Sequence, residues 1–132
     1  MLPLRYVKRW RIAGVVLLAA AFVVALMPAM WPQIRVRDIL DLDKALHGTA
    51  FTLLTVWFSG QYSRASYWKM AAGLLAFGAM IEVCQYMTNY RSAEWRDLYA
   101  DAGGIVAGLA IALLGPGGWS LRFERWLQKR RG

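Results

Sequence analysis

The chain has 132 residues, of which 58% are hydrophobic and 18% charged, and its 16 Lys+Arg against 8 Asp+Glu give a net charge of +8. So apolar a chain with one cysteine is neither disordered nor a disulfide scaffold, and it has no Cys-rich zinc or iron–sulfur site. The pI of about 10.2 would suit a nucleic-acid binder. Long apolar runs do not, so the reading is one integral membrane domain, residues 1–132, with no nucleic-acid partner.

About 20 apolar residues are needed to cross a hydrocarbon core of about 30 Å. Four runs come near that length: Ile12 to Met30, Ala45 to Ser63, Met70 to Tyr90 and Leu98 to Leu114. The first has no charge. The second has only His47, the third only Glu82, and the fourth reaches span length by including Asp101. A cleaved leader ending at Ala29 is the alternative for the first run. It is disfavoured because Met27 stands where a small residue is preferred and the run is long for a leader. Pro32 to Asp43, Gln61 to Lys69 and Thr88 to Asp97 read as polar connectors, and Gly115-Pro116-Gly117-Gly118 ends the fourth helix.

Basic residues set the expected orientation. Arg5, Lys8, Arg9, Arg11, Arg64, Lys69, Arg122, Arg125, Lys129, Arg130 and Arg131 fall on one side, against Arg35, Arg37, Lys44, Arg91 and Arg96 on the other. The positive-inside rule then places both termini in the cytoplasm of a multi-pass inner-membrane protein. The net charge becomes an attraction to anionic membrane lipid. Trp119, Phe123, Trp126 and Leu127 recur at helical spacing among basic residues, which predicts a short C-terminal amphipathic helix on the inner leaflet. The predicted architecture is an all-α bundle of four transmembrane helices plus that tail helix.

In this topology seven of the eight acids lie in the outer half, and Glu124 alone is cytoplasmic. Asp43 and His47 are four apart on one helix face, Glu82 and Gln85 three apart on another. Asp97, Asp101, Gly104 and Gly108 follow spacings of four, three and four. Gly104 and Gly108 make a small-residue groove for close approach of a helix, within the chain or in a homodimer. Glu82 is expected roughly 7 Å inside its helix end, facing the bundle and partnered by Arg91, His47 or Lys44. An ionisable residue at such depth is a functional-site candidate.

Several functions fit these residues. In the first, Lys44, Arg91 and Arg96 hold a phosphate or carboxylate of a lipid-linked or anionic envelope group, and Asp43, His47 and Glu82 supply acid–base chemistry. Gln85, Asp97, Asp101 and Gly104 complete that binding site. In the second, His47 with Asp43, Glu82, Asp97 or Asp101 holds magnesium, manganese or zinc, although a lone histidine is unusual for catalytic zinc. In the third, the polar residues only hold helices together in an assembly or transport partner; four spans without an inverted repeat are few for a transporter. Neither an enzymatic activity nor a cofactor is fixed by the sequence. Cys84 reads as an inert thiol.

The ordered set Asp43-Lys44-x-x-His47, Glu82-x-x-Gln85, Arg91, Asp97, Asp101, Gly104 and Gly108 resembles the VanZ-like membrane protein family, over about residues 43–114. Asp101 stands where that family more usually has Asn, and Gly48 where it more usually has an aromatic residue. The resemblance implies a multi-span bacterial envelope protein. The family takes its name from a member linked to teicoplanin resistance, and it carries Asp43, Lys44, His47, Glu82, Gln85, Arg91, Asp97, Asp101 and Gly104 as site residues. It implies no mechanism.

Overall fold

The computed structural model is described over residues 1–27, 36–87, 95–115 and 117–131, with 36–41, 43 and 131 as backbone only. Among these the chain is all-α: α1 (Val7–Leu26), α2 (Val36–Ser59), a 3-10 turn (Arg64–Ser66), α3 (Tyr67–Met87), α4 (Trp95–Leu114) and α5 (Trp119–Arg131). Successive long helices run in opposite directions, so the ends of α1 and α3 meet the starts of α2 and α4.

The helices differ from the apolar runs at their ends, for identifiable reasons. α1 begins at Val7 rather than Ile12, taking Lys8, Arg9 and Arg11 into its first turns. Positive charge there opposes the helix dipole. Compensation comes from α5, where the Glu124 carboxylate accepts the backbone N–H groups of Arg5 (2.7 Å) and Tyr6 (3.0 Å) and the Trp10 indole N–H (2.8 Å). α1 stops at Leu26, not Met30, because Met27 precedes Pro28 and takes an extended conformation (φ −62°, ψ 130°). α2 starts at Val36, inside the segment expected to be a loop, and ends at Ser59 rather than Ser63. His47 therefore lies half-way along α2, not at its end.

The α2 C-terminus leaves four open carbonyls, and each finds a donor. Val56 O accepts the Trp119 indole N–H (3.0 Å), Trp57 O the Gly60 amide, Phe58 O the Gln61 amide, and Ser59 O the Gly118 amide (3.1 Å). Gly118 can donate there because it adopts φ +73°, a conformation that favours glycine. Arg64 donates to Leu113 O, and Arg122 to Gly115 O and Gly117 O, at the end of α4. Trp119 packs edge-on against Trp10 and Trp57, the three ring centroids 5.3–5.5 Å apart. So α5 is tied to the bundle end by Glu124, Trp119 and the buried Ser120, while Phe123 and Trp126 stay about half exposed.

α2 and α4 are the closest pair. A Cβ on Gly104 would collide with the Gly48 carbonyl, and one on Gly108 would sit 2.6 Å from the Thr55 Cβ. Thr52 Oγ1 lies 2.7 Å from Gly48 O and 3.0 Å from Gly104 O. The small-residue groove is thus filled by the chain's own α2, which a homodimer through that face would have to displace. Phe51, Leu54, Leu74, Ile81 and Ile105 form the apolar core, with Phe22, Phe58 and Phe77 around it.

The outer surface is apolar instead. Ile12, Val15, Val24, Leu53, Val83, Val106 and Leu114 are largely exposed, whereas Thr55, Gln61, Gln85 and Asp101 are buried. Exposed apolar surface on this scale calls for a non-aqueous surrounding. Tyr86, Trp95 and Tyr99 are exposed near one end and Trp68 near the other, as in interfacial aromatic belts. Three helical segments are long and apolar enough to cross a membrane: Val7–Leu26, Arg64–Met87 and Trp95–Leu114. α2 is long enough, but Arg37, Asp38, Asp41, Asp43, Lys44 and His47 lower its hydropathy.

Two stability outcomes follow. Gly104→Ala forces backbones apart and should cost about 1–3 kcal/mol. Gly103→Ala meets nothing within 4 Å and should be neutral or stabilise by about 0.5–1 kcal/mol; thermal melts in detergent compare them.

Burial opposes ionisation of Glu124, but the Arg5 amide, the Trp10 indole, the Tyr6 amide and the Arg5 charge outweigh it and hold its pKa below the ordinary 4.5. A depressed carboxyl pKa contributes stability above its unfolded value and loses it as pH falls through the folded one. Glu124→Ala should cost about 1–3 kcal/mol, through unsatisfied donors, and Glu124→Gln less. The gap in melting temperature between wild type and Glu124→Gln should hold near neutral pH and narrow in acid, starting below 4.5.

Candidate functional site

Three helices bring polar side chains to one level, at the end away from α5. α2 supplies His47 and α3 supplies Glu82, five residues before its end, roughly 7 Å of helix. α4 supplies Asp97 from its first turn and Asp101 one turn later. Their exposures are 6% for His47, 9% for Glu82, 5% for Asp97 and 0% for Asp101. Such burial is rare for ionisable groups unless they are paired.

The central contact is His47 Nδ1 to Asp101 Oδ1, 2.9 Å. With Asp101 ionised, Nδ1 holds the proton and donates it, which makes Nε2 the basic nitrogen. Asp101 thereby fixes both tautomer and ring orientation. Its other oxygen, Oδ2, accepts no hydrogen bond among the described residues and lies over Gly78 of α3, where a Cβ would stand 2.5 Å from it. A side chain at position 78 would displace the carboxylate.

Around this pair, one ligand atom each from His47, Glu82 and Asp97 lie within 4.8 Å of one another. Buried acids gathered this closely are costly without positive charge beside them. An imidazolium supplies one such charge. Lys44, one turn before His47 and half-buried, is the next cation along α2. Arg96 is exposed beside Asp97. Among these groups an acid–base step, a bound cation, or an anion held at the rim by Lys44 and Arg96 are all chemically feasible.

Two of the sequence candidates lie outside this description. Arg91 is beyond the described residues, and Asp43 is placed only as backbone on α2, one turn before His47. Gln85 has an observed contact of its own: its Nε2 donates to Ala25 O (2.8 Å), one of the last carbonyls of α1. Gly104 holds α2 and α4 close enough for His47 to meet Asp101. Sequence reasoning missed Gly78 and Thr52. The signal for Gly78 was its place one helical turn before Glu82; Thr52, bonded to the carbonyl of Gly104, had none beyond its i+4 relation to Gly48.

No curated protein and no solved structure matches the chain. Family comparison gives one extended match, to VanZ/LLP1 over residues 3–115, which takes in α1 to α4 and every residue of the recess. A match over that much of the sequence places the chain in the VanZ/LLP1 family.

Proposed function

We propose that this VanZ/LLP1 family member is a four-span inner-membrane protein with cytoplasmic termini. Its outer recess binds or modifies a lipid-linked or anionic envelope group, and through it affects teicoplanin-type glycopeptide susceptibility. The observation that carries this reading is the buried His47–Asp101 pair with Glu82 and Asp97 beside it. For the topology, α2 lies against α1, α3 and α4 and so crosses with them, despite its lower hydropathy. The excess of Lys and Arg on the α5 side makes that side cytoplasmic.

In this reading His47 Nε2 moves the proton, Asp101 holds the ring, and Glu82 is the second acid–base group, with Asp43 on the same α2 face. Lys44, Arg91 and Arg96 hold the anionic group, and Asp97 lines the recess. Gln85 acts by fixing the end of α1 beside the site. Membrane lipid is the surrounding partner.

A second reading has its own support, since the close approach of His47, Glu82 and Asp97 suits a divalent cation. Asp101 would then be the carboxylate that orients a metal-bound imidazole.

Teicoplanin susceptibility of cells expressing the chain, measured beside membrane abundance, tests the function. His47→Ala and Glu82→Gln should abolish the effect at unchanged abundance, in keeping with the ~10²-fold or larger contribution of an acid–base group. Equal loss of abundance would instead assign these residues to helix packing. Elemental analysis of protein purified without chelator tests the second reading. A stoichiometric metal lost in His47→Ala supports it, and no metal removes it.

A further inference from the structure

At the opposite end, independently of the recess, α1 and α5 enclose a cleft of about 590 Å³. Glu124, itself 3% exposed, is the acid that lines it. Trp10, Ala13, Phe123 and Leu127 give it apolar lining, and Arg5 and Arg9 line it with positive charge. Both guanidinium groups lie over one ring, that of Tyr6, at 5.6 Å and 5.1 Å from its centroid. One aromatic ring thus holds two cations near it, and neither makes an ion pair among the described residues.

The one acid in the cleft makes no ion pair with either, although the Arg5 charge helps to lower its pKa. Glu124 gives its oxygens to two backbone amides and an indole N–H, in bonds of 2.7–3.0 Å. Lys8, Arg11, Arg122, Arg125, Lys129 and Arg130 add further positive charge on the same two segments. Beyond Ala13, which lines the cleft, α1 exposes the apolar Ile12 and Val16. A ligand complementary to this site has an anion at one end and hydrocarbon at the other.

We propose that the α1–α5 cleft holds one anionic phospholipid of the adjacent leaflet, its phosphodiester between Arg5 and Arg9 and its first acyl methylenes along Ala13 and Leu127. The volume lies within the usual range for a ligand pocket and fits a phosphoglycerol headgroup with the start of its chains. Arginine suits the phosphate because its planar fork can donate to two oxygens at once. Basic pockets at a membrane surface are a general form of anionic-lipid recognition. The bound lipid bridges α1 and α5 alongside the Glu124 bonds.

The test is native mass spectrometry of the full chain released from micelles that contain dioleoylphosphatidylglycerol or dioleoylphosphatidylcholine, with glycerol phosphate as a third probe. One phosphatidylglycerol per chain should be retained, with little phosphatidylcholine. The Arg5→Gln/Arg9→Gln variant keeps the backbone amides that bind Glu124, and should lose retention by on the order of tenfold or more. Arg125→Gln/Arg130→Gln removes the same charge outside the cleft and should retain lipid as wild type does. Ala13→Phe keeps every charge but fills the acyl path, and should also lose lipid at an unchanged melting temperature. Equal loss from the Arg125/Arg130 variant would mean diffuse surface attraction and overturn the proposal. So would retention of phosphatidylcholine or of glycerol phosphate at the level of phosphatidylglycerol.

Discussion

Inside hydrocarbon, a helix-end amide or carbonyl left without a partner costs several kcal/mol. Much of the polar chemistry in this chain answers that constraint. Glu124 takes up donors at the start of α1, and Gln85 donates to a carbonyl at its end. Trp119, Gly60, Gln61 and Gly118 close the end of α2, and Arg64 and Arg122 that of α4. The signs agree with the helix dipoles: a carboxylate at an N-terminus and guanidiniums at a C-terminus. Residues far apart in sequence are thus fixed by local backbone need, and α5 is bound to the bundle although its residues 123 and 126 are about half exposed.

The same constraint separates polar groups that close a helix end from those that do not. Asp97 stands in the first turn of α4, where the dipole favours a carboxylate whatever else it does. Gln85 serves α1. His47, Glu82 and Asp101 have no helix end to close. His47 is half-way along α2 and Asp101 is past the first turn of α4. A pair of apolar residues would pack those positions at lower desolvation cost, and the glycine opposite Asp101 is shaped to receive its carboxylate. These three groups hold the weight of the functional reading.

Sequence alone made the helical class and the three apolar spans legible, because uncharged runs of span length have few other uses. It misplaced helix ends wherever the decisive partner was remote. Nothing near Val7 announces the carboxylate 117 residues later, and charge in Val36 to Lys44 reads as loop until α2 is seen to continue through it. Pro28 was a readable stop that the apolar run overrode. In the recess, periodicity showed which residues share a face on each helix. It did not show the choice of Asp101 as an acid set 2.9 Å from the imidazole Nδ1. That choice depends on how near α2 comes to α4, and the distance is set by glycines 48 and 104.

The two ends of the bundle therefore differ in more than charge. At the α5 end the cations are many and the single acid is spent on backbone, so the positive surface remains open to anions. At the other end the described acids outnumber the described cations within the recess, and they are held by packing at depths where water is scarce. A chain that needed only to sit in a membrane in one orientation would require the first of these and not the second. Buried carboxylates add nothing to a positive-inside signal and cost desolvation energy. Glu82 and Asp101 neither orient the chain nor cap a helix, and for that reason the function proposed above rests on them together with His47.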